Sequence, residues 1–413
     1  MNKVFINRRL VTFLLLFSPI LSYDVLSQSS QILVGHDTTR RVITTAVPFL
    51  LITPDARSGA MGDAGGAISP DANSIHWNPA KLAFLESEFG LSISYTPWLG
   101  NIIKDMSISY LSLYYKITRE QAVGFSMRYF DLGDIFFTTD IGDPAGQFSP
   151  REFAFDLTYS RMLTENLSIG GSARFISSNL TGSFSSQAIE ARPGRSFAVD
   201  FGLFYKKDFL LSGTNSNLAL AAVISNIGSK VTYSSEENKD FIPANFRLGT
   251  AFTSSLNPYN TITLAVDFNK LLVPTPPIYQ IDANGQRVID QNGEPVILKG
   301  KDPDRTVLGG VFGSFGDAPD GAKEEFQEFS IATGVEYWYK ELFAVRGGYF
   351  LEAENKGNRK YFTLGVGFRY QKFGLDFAYL IPQRQNHPLA ETLRFTLVFN
   401  FDKAERDTES VVE

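Results

Sequence analysis

The 413-residue chain has no cysteine. That excludes thiol nucleophiles, cysteine-held metals, disulfides and the lipid anchor of a lipoprotein leader. Histidine is scarce, with only His36, His76 and His387. None of them has a histidine or cysteine two or four residues on, and none lies near a serine in a nucleophile context. No catalytic residue, metal ligand or cofactor is therefore assigned, and no enzymatic role is expected. Basic excess is also missing: 38 Lys and Arg face 44 Asp and Glu, a net charge of −6. A nucleic-acid binder would need a basic face, so none is expected as a partner. Long apolar runs are absent too. The run at residues 10–21 is about a dozen residues, too short to cross roughly 30 Å of hydrocarbon as a helix.

What is present points to strands and turns. Phenylalanine (36), tyrosine (17) and glycine (34) are abundant, and aromatic residues favour pleated surfaces. The mean hydropathy of −0.06 suits a wall with one face in lipid and one in water. Lys3, Arg8 and Arg9 precede the short apolar run, and Ser22 and Ser27 follow it, so residues 1–27 are expected to be a secretory signal. Residues 28–53, polar and then apolar at 46–52, are expected to form a periplasmic arm. Residues 54–86 are expected to be a plug, 87–401 the main fold, and 402–413 a charged tail.

From Phe89 onward the residues alternate. Phe89, Leu91, Ile93 and Tyr95 are interleaved with Gly90, Ser92 and Ser94. Phe153, Phe155, Leu157 and Tyr159 are likewise interleaved with Ala154, Asp156, Thr158 and Ser160. Side chains alternate across a strand, so one face is apolar and the other small or polar. About fourteen such segments of roughly nine to thirteen residues follow one another, long enough for tilted strands to cross a bilayer. Short and long connections alternate, so every long loop falls at one end. The expected fold is all-β: a transmembrane antiparallel barrel of about fourteen strands with long extracellular loops and both termini in the periplasm. The alternative is a soluble β-sandwich, but its strands run nearer five or six residues and it buries its apolar faces against each other. Residues 108–117 change phase at Tyr110-Leu111, which a bulge or an apolar patch in the lumen would explain.

On the lumen side the alternation collects Arg128, Arg174, Arg247, Arg346, Arg369 and Arg394 with Asp156, Asp200, Asp267, Glu336 and Asp376. The sharper reading is a permeation path or an anion site. The reading favoured here is a self-neutralising set of ion pairs, because charges away from bulk water are usually paired. The longest loop, 270–325, holds Pro274, Pro276, Pro277 and Tyr279, then turn signals at 282–285 and 291–293. Beyond them lies an apolar run with Val307, Leu308 and Phe312. A loop of this length is more often functional than accidental, and it is the candidate contact surface.

Residues 54–86 are rich in Gly, Ala, Ser and Asp. Gly59, Gly62, Gly65 and Gly66 lack the Lys-Ser/Thr ending of a phosphate loop. Asp140-Ile141-Gly142-Asp143 and Asp317-Ala318-Pro319-Asp320-Gly321 lack the full spacing of a calcium loop. The run 56–65, ARSGAMGDAG, followed by 69–84, SPDANSIHWNPAKLAF, resembles the N-terminal signature of the PorV family of type IX secretion barrels in Bacteroidetes. Asn78-Pro79-Ala80, within Trp77 to Lys81, is also similar to the hatch motif of FadL-like barrels, which have fourteen strands. The resemblance is specific over these thirty or so residues. It implies a carrier that binds the C-terminal signal domain of secreted cargo as it leaves a SprA/Sov-type translocon barrel. The carrier then hands the cargo to a PorU-type sortase and attachment complex. It supplies no catalytic residue. The alternative is a FadL-type channel for hydrophobic small molecules, and a plain structural barrel is a third reading.

Overall fold

In the computed structural model the alternating segments are strands whose burial alternates in step. The structure describes residues 41–401 except 100–104, 139–143, 181–184, 187–188, 191, 234–238, 283 and 384–391. The expected signal peptide, residues 28–40 of the arm, His36, His387, the acidic turn 140–143 and the tail 402–413 lie outside the described residues.

Fourteen strands close into one antiparallel barrel. They are β1 Phe89–Pro97, β2 Ser107–Lys116, β3 Gln121–Asp131, β4 Arg151–Met162, β5 Leu167–Asn179, β6 Gly194–Leu211 and β7 Thr214–Gly228. Then come β8 Asn245–Asn257, β9 Asn260–Leu271, β10 Phe329–Tyr339, β11 Phe343–Leu351, β12 Lys360–Tyr370, β13 Phe373–Pro382 and β14 Leu393–Phe401. Closure is direct: β14 pairs with β1 from Phe89↔Phe401 to Tyr95↔Phe395. Barrel closure leaves no unpaired strand edge, which is the condition for a sheet to span lipid.

The outward face is apolar and bare. Phe197 is 70% exposed and Leu157 67%, a cost no soluble sandwich would carry and one that lipid removes. The inward face carries Ser92, Ser94, Ser126, Ser160 and Thr396, all fully or almost fully buried. The phase change in β2 resolves as a lumen patch. Its register with β1 and β3 is unbroken, and Ile108, Tyr110 and Tyr114 are buried on the inward side.

The barrel has a turn end and a loop end. At the turn end β2–β3, β4–β5, β6–β7, β8–β9, β10–β11 and β12–β13 are joined by two to four residues each, and β14 finishes beside the 371–372 turn through Asn400 N–H to Lys372 O. The other connections lie at the loop end. The longest, 272–328, pairs Ile278–Tyr279 with Ile297–Lys299 and then forms short helices Val307–Gly313 and Ala322–Gln327.

One expectation is corrected here. Residues 41–53 do not lie at the turn end with the end of β14. Arg41 N–H donates to Asn355 O and Ala46 N–H to Phe241 O, both in long loops. If the long loops face outward, this stretch is not periplasmic. A coil without period carries no information about direction, so the alternation downstream could not place it.

Candidate functional site

The stretch 54–86 lies inside the barrel as a compact knot. Asp55 caps the turn Ala56–Gly59 by accepting from Ser58 N–H at 2.8 Å, and its other oxygen accepts the Trp77 indole N–H at 2.6 Å. Asn78 caps the 3-10 turn Pro79–Phe84 by accepting from Ala80 N–H at 3.0 Å. Pro79 at the first position suits this, since its missing N–H would be unpaired there anyway. Lys81, 1% exposed, donates to Gly65 O at 2.9 Å and ties the two halves of the knot together.

The wall holds this knot from all sides. Asn78 Nδ2 donates to Leu203 O in β6, while Ser160 in β4 and Ser168 in β5 both donate to Ala80 O. Asp267 in β9 accepts Gly65 and Gly66 N–H at 3.0 and 2.7 Å. Thr363 in β12 accepts Gly62 N–H at 2.8 Å, and Thr396 in β14 accepts Ala56 N–H at 2.8 Å. Gly348 in β11 makes the closest approach: a Cβ there would fall 2.0 Å from Gly62 N.

The wall charges divide into groups. Arg174 bridges Asp156 at 2.5 Å and Asp200 at 2.9 Å. Arg346 bridges Glu336 at 2.6 Å and Asp376 at 2.8 Å, and Arg369 adds to Asp376 at 2.6 Å. Arg57 of the hatch joins through Glu336 at 2.8 Å and Asp71 at 3.1 Å. Arg247 reaches Asp267 only at 3.9 Å. It lies over the Trp77 ring at 4.7 Å and donates to Trp77 O at 3.0 Å. Arg394 lies against Gly59, and its Nε has no hydrogen-bond partner among the described residues. Arg128 departs from the pattern, because its partners are carbonyls rather than carboxylates. Its Nη1 donates to Phe49 O and Leu50 O at 2.9 and 2.8 Å.

Those carbonyls belong to an apolar stopper above the hatch. Ala46, Val47, Phe49 and Leu50 are buried among Ile108, Phe130, Ile176 and Ile242 at the loop end of the lumen. Nearer the chain start, Arg41 pairs with Glu324 at 2.8 Å and with Asp320. Lys356 donates to Glu324 and Glu328 at 2.7 and 2.8 Å, and Lys270 reaches Glu325 at 3.0 Å and also Glu328. This buried cluster joins the arm to β9 and two long loops. Burial alone would raise the Glu324 carboxyl, but hydrogen bonds from Arg41 and Lys356 outweigh it and hold it down at about 2.

The loop candidates separate by exposure. Pro274 and Pro277 are buried, and Pro276 and Tyr279 half-buried, so the proline run is framework rather than free contact surface. That part of the expectation is corrected. Proline lacks an N–H and packs against the mouth without leaving a donor unpaired. Val307 is half-buried, whereas Leu308 is 60% and Phe312 73% exposed. Phe326, which the sequence did not single out, is 76% exposed. The helix that carries Leu308 and Phe312 packs on the outward side of the wall through Val311, which meets Phe246. Lys270 is an odd number of residues from inward Asp267 and pairs with Phe246 and Phe329, so all three face outward. Phe315 packs on Phe246 with ring centres 6.0 Å apart. Arg41, Asp55, Thr363 and Thr396 were missed as well. Arg41, Thr363 and Thr396 meet partners 283 to 340 residues away, which nothing in a single sequence signals, whereas Asp55 stands three residues before Ser58, the spacing of a helix cap.

The family model for the type IX secretion system protein PorV matches residues 35–278. No curated protein matches the chain. Among solved structures, the Ralstonia pickettii toluene transporter TbuX is 13% identical, with a TM-score of 0.45 over 84% of this chain and 98% of that one. The P. putida toluene transporter TodX is 13% identical, with a TM-score of 0.43 over 85% and 99%. The monoaromatic hydrocarbon channel CymD is 14% identical, with a TM-score of 0.45 over 86% and 99%. The family match covers more than half of the chain, through the hatch and the first nine strands into the longest loop, and the chain belongs to the PorV family of type IX secretion system proteins.

Proposed function

We propose that this outer-membrane barrel receives secreted proteins by their C-terminal signal domain at the translocon barrel and delivers them to the surface attachment complex. It makes and breaks no covalent bond itself. The long loops face outward, the end of β14 faces the periplasm, and residues 41–53 lie on the outer side. The observation that carries the reading is the exposed apolar surface of Leu308, Phe312 and Phe326 beside the outer wall. Exposed apolar side chains of this kind mark interaction sites, and on a loop packed against outward Phe246 they would be met from the side by a second barrel or by outer-membrane lipid. The hatch and stopper inside the lumen support contact along the outside rather than passage through the middle. A channel for hydrophobic small molecules is the second reading. The apolar cluster at the loop end of the lumen favours it, but the chain's own segment fills that space.

The test is a triple variant, Leu308→Glu, Phe312→Glu and Phe326→Glu, expressed in place of the native chain. Assembly is followed by heat-modifiable gel mobility. Cargo retaining its C-terminal domain should accumulate in the periplasm. Normal secretion by the assembled variant would end the proposal.

A further inference from the structure

The stopper occupies a site that the barrel builds for it. Phe49 is fully buried and Leu50 nearly so, against Ile108, Phe130, Ile176 and Ile242. Deeper in the lumen Ser112, Ser126 and Ser160 stand on the inward face, and Tyr114 and Phe204 pack on the hatch, so the apolar lining around Phe49 and Leu50 is a separate cluster. Its floor is Arg128, 4% exposed, whose Nη1 donates to two successive carbonyls while Nη2 faces His76 Nδ1 at 2.7 Å. A guanidinium has donors only. Here they are matched to a peptide backbone.

The occupant is held in a strained form. Val47 has φ 45° and ψ 50°. A β-branched residue in the left-handed region is a true outlier, and the following Pro48 disfavours any helical basin at Val47. Such strain persists only where the surroundings impose it, and it clusters at functional sites. Pro48 at the crest is exposed, so the segment can leave toward the loop end without passing the hatch.

We infer that this is a peptide-binding site, occupied in cis by residues 47–52 and open in trans to an apolar peptide segment. The ligand would offer two or three large aliphatic or aromatic side chains and two successive carbonyls to Arg128. Residues 47–52 act as a displaceable stopper that competes with such a ligand. The inference stands on lumen geometry and does not rest on the secretion reading.

The test uses the full-length protein in detergent and a fluorescent, end-capped hexapeptide Val-Pro-Phe-Leu-Leu-Ile. The double variant Phe49→Ala, Leu50→Ala weakens the competitor and should bind the peptide more tightly than the native chain. In that background Arg128→Met removes the donors to the two carbonyls and should weaken peptide binding by about tenfold. Failure of the folded double variant to bind, or binding unchanged by Arg128→Met, would overturn the inference. Displacement of the peptide by oleate at equal concentration would also overturn it, by assigning the site to lipid. If the double variant does not fold, hydrogen exchange of the native chain decides. Excess peptide should speed exchange of the Leu50 and Ile52 amides, which donate to Val47 O and Phe49 O, and unchanged exchange overturns the inference.

Discussion

Glu336 shows how much one residue carries in this lumen. It accepts from Arg57 of the hatch and Arg346 of the wall, and all three are buried. Glu336→Ala leaves two buried guanidiniums each short of a carboxylate, and breaking such a pair costs about 3–5 kcal/mol. The barrel should unfold at a clearly lower temperature in detergent, measured by heat-modifiable mobility, whereas Lys299→Ala at the exposed Asp320 pair should leave it unchanged. Gly348→Val addresses the closest contact. Its Cβ would meet Gly62 N at 2.0 Å, backbone on backbone, so nothing flexible can yield. The hatch should unseat while the strands stay paired, exposing Arg57 and Lys81 to trypsin. At this scale the sequence was half legible. Parity alone put Arg174, Asp156 and Asp200 on one face. It could not say that Arg128, on the same face, would hold carbonyls of an upstream coil, because that depends on where the coil lies.

Among the elements, the strands were legible and the coils were not. A period of two locates a strand and its faces without tertiary information, so all fourteen segments and the end carrying the loops could be read directly. Residues 41–53 have no period, and their position is set by partners such as Glu324, 283 residues away from Arg41. The Arg41–Glu324–Lys356 cluster also gives the arm a pH dependence. The Glu324 carboxyl is lowered from its ordinary 4.5 to about 2, so its contribution is present above about 4.5 and is lost as pH falls toward 2. Limited proteolysis of the arm and the 272–328 loop should show protection at pH 5 and above and its loss between about 4.5 and 2. Glu324→Gln should lose that protection already at pH 7. Protection that is unchanged down to pH 2 would show that the cluster does not hold the arm.

As a whole molecule, the barrel is a wall with an apolar outer face around a filled lumen, and its loop rim adds the exposed Leu308, Phe312 and Phe326. The hatch hydrogen-bonds to β4, β5, β6, β8, β9, β10, β12 and β14, and the stopper caps the loop end. In planar bilayers the native chain should pass no steady ion current, and Gly348→Val should open one. A native chain that conducts steadily would contradict the filled lumen. We propose that partners engage the loop rim from the side, and a photo-crosslinking amino acid placed at Phe312, Phe326 or Lys372 in living cells tests this. Adducts with another barrel, or with proteins carrying the C-terminal signal domain, are expected at Phe312 and Phe326, and none at Lys372 on the turn end. Adducts at Lys372 alone, or none at either loop position in assembled protein, would contradict it.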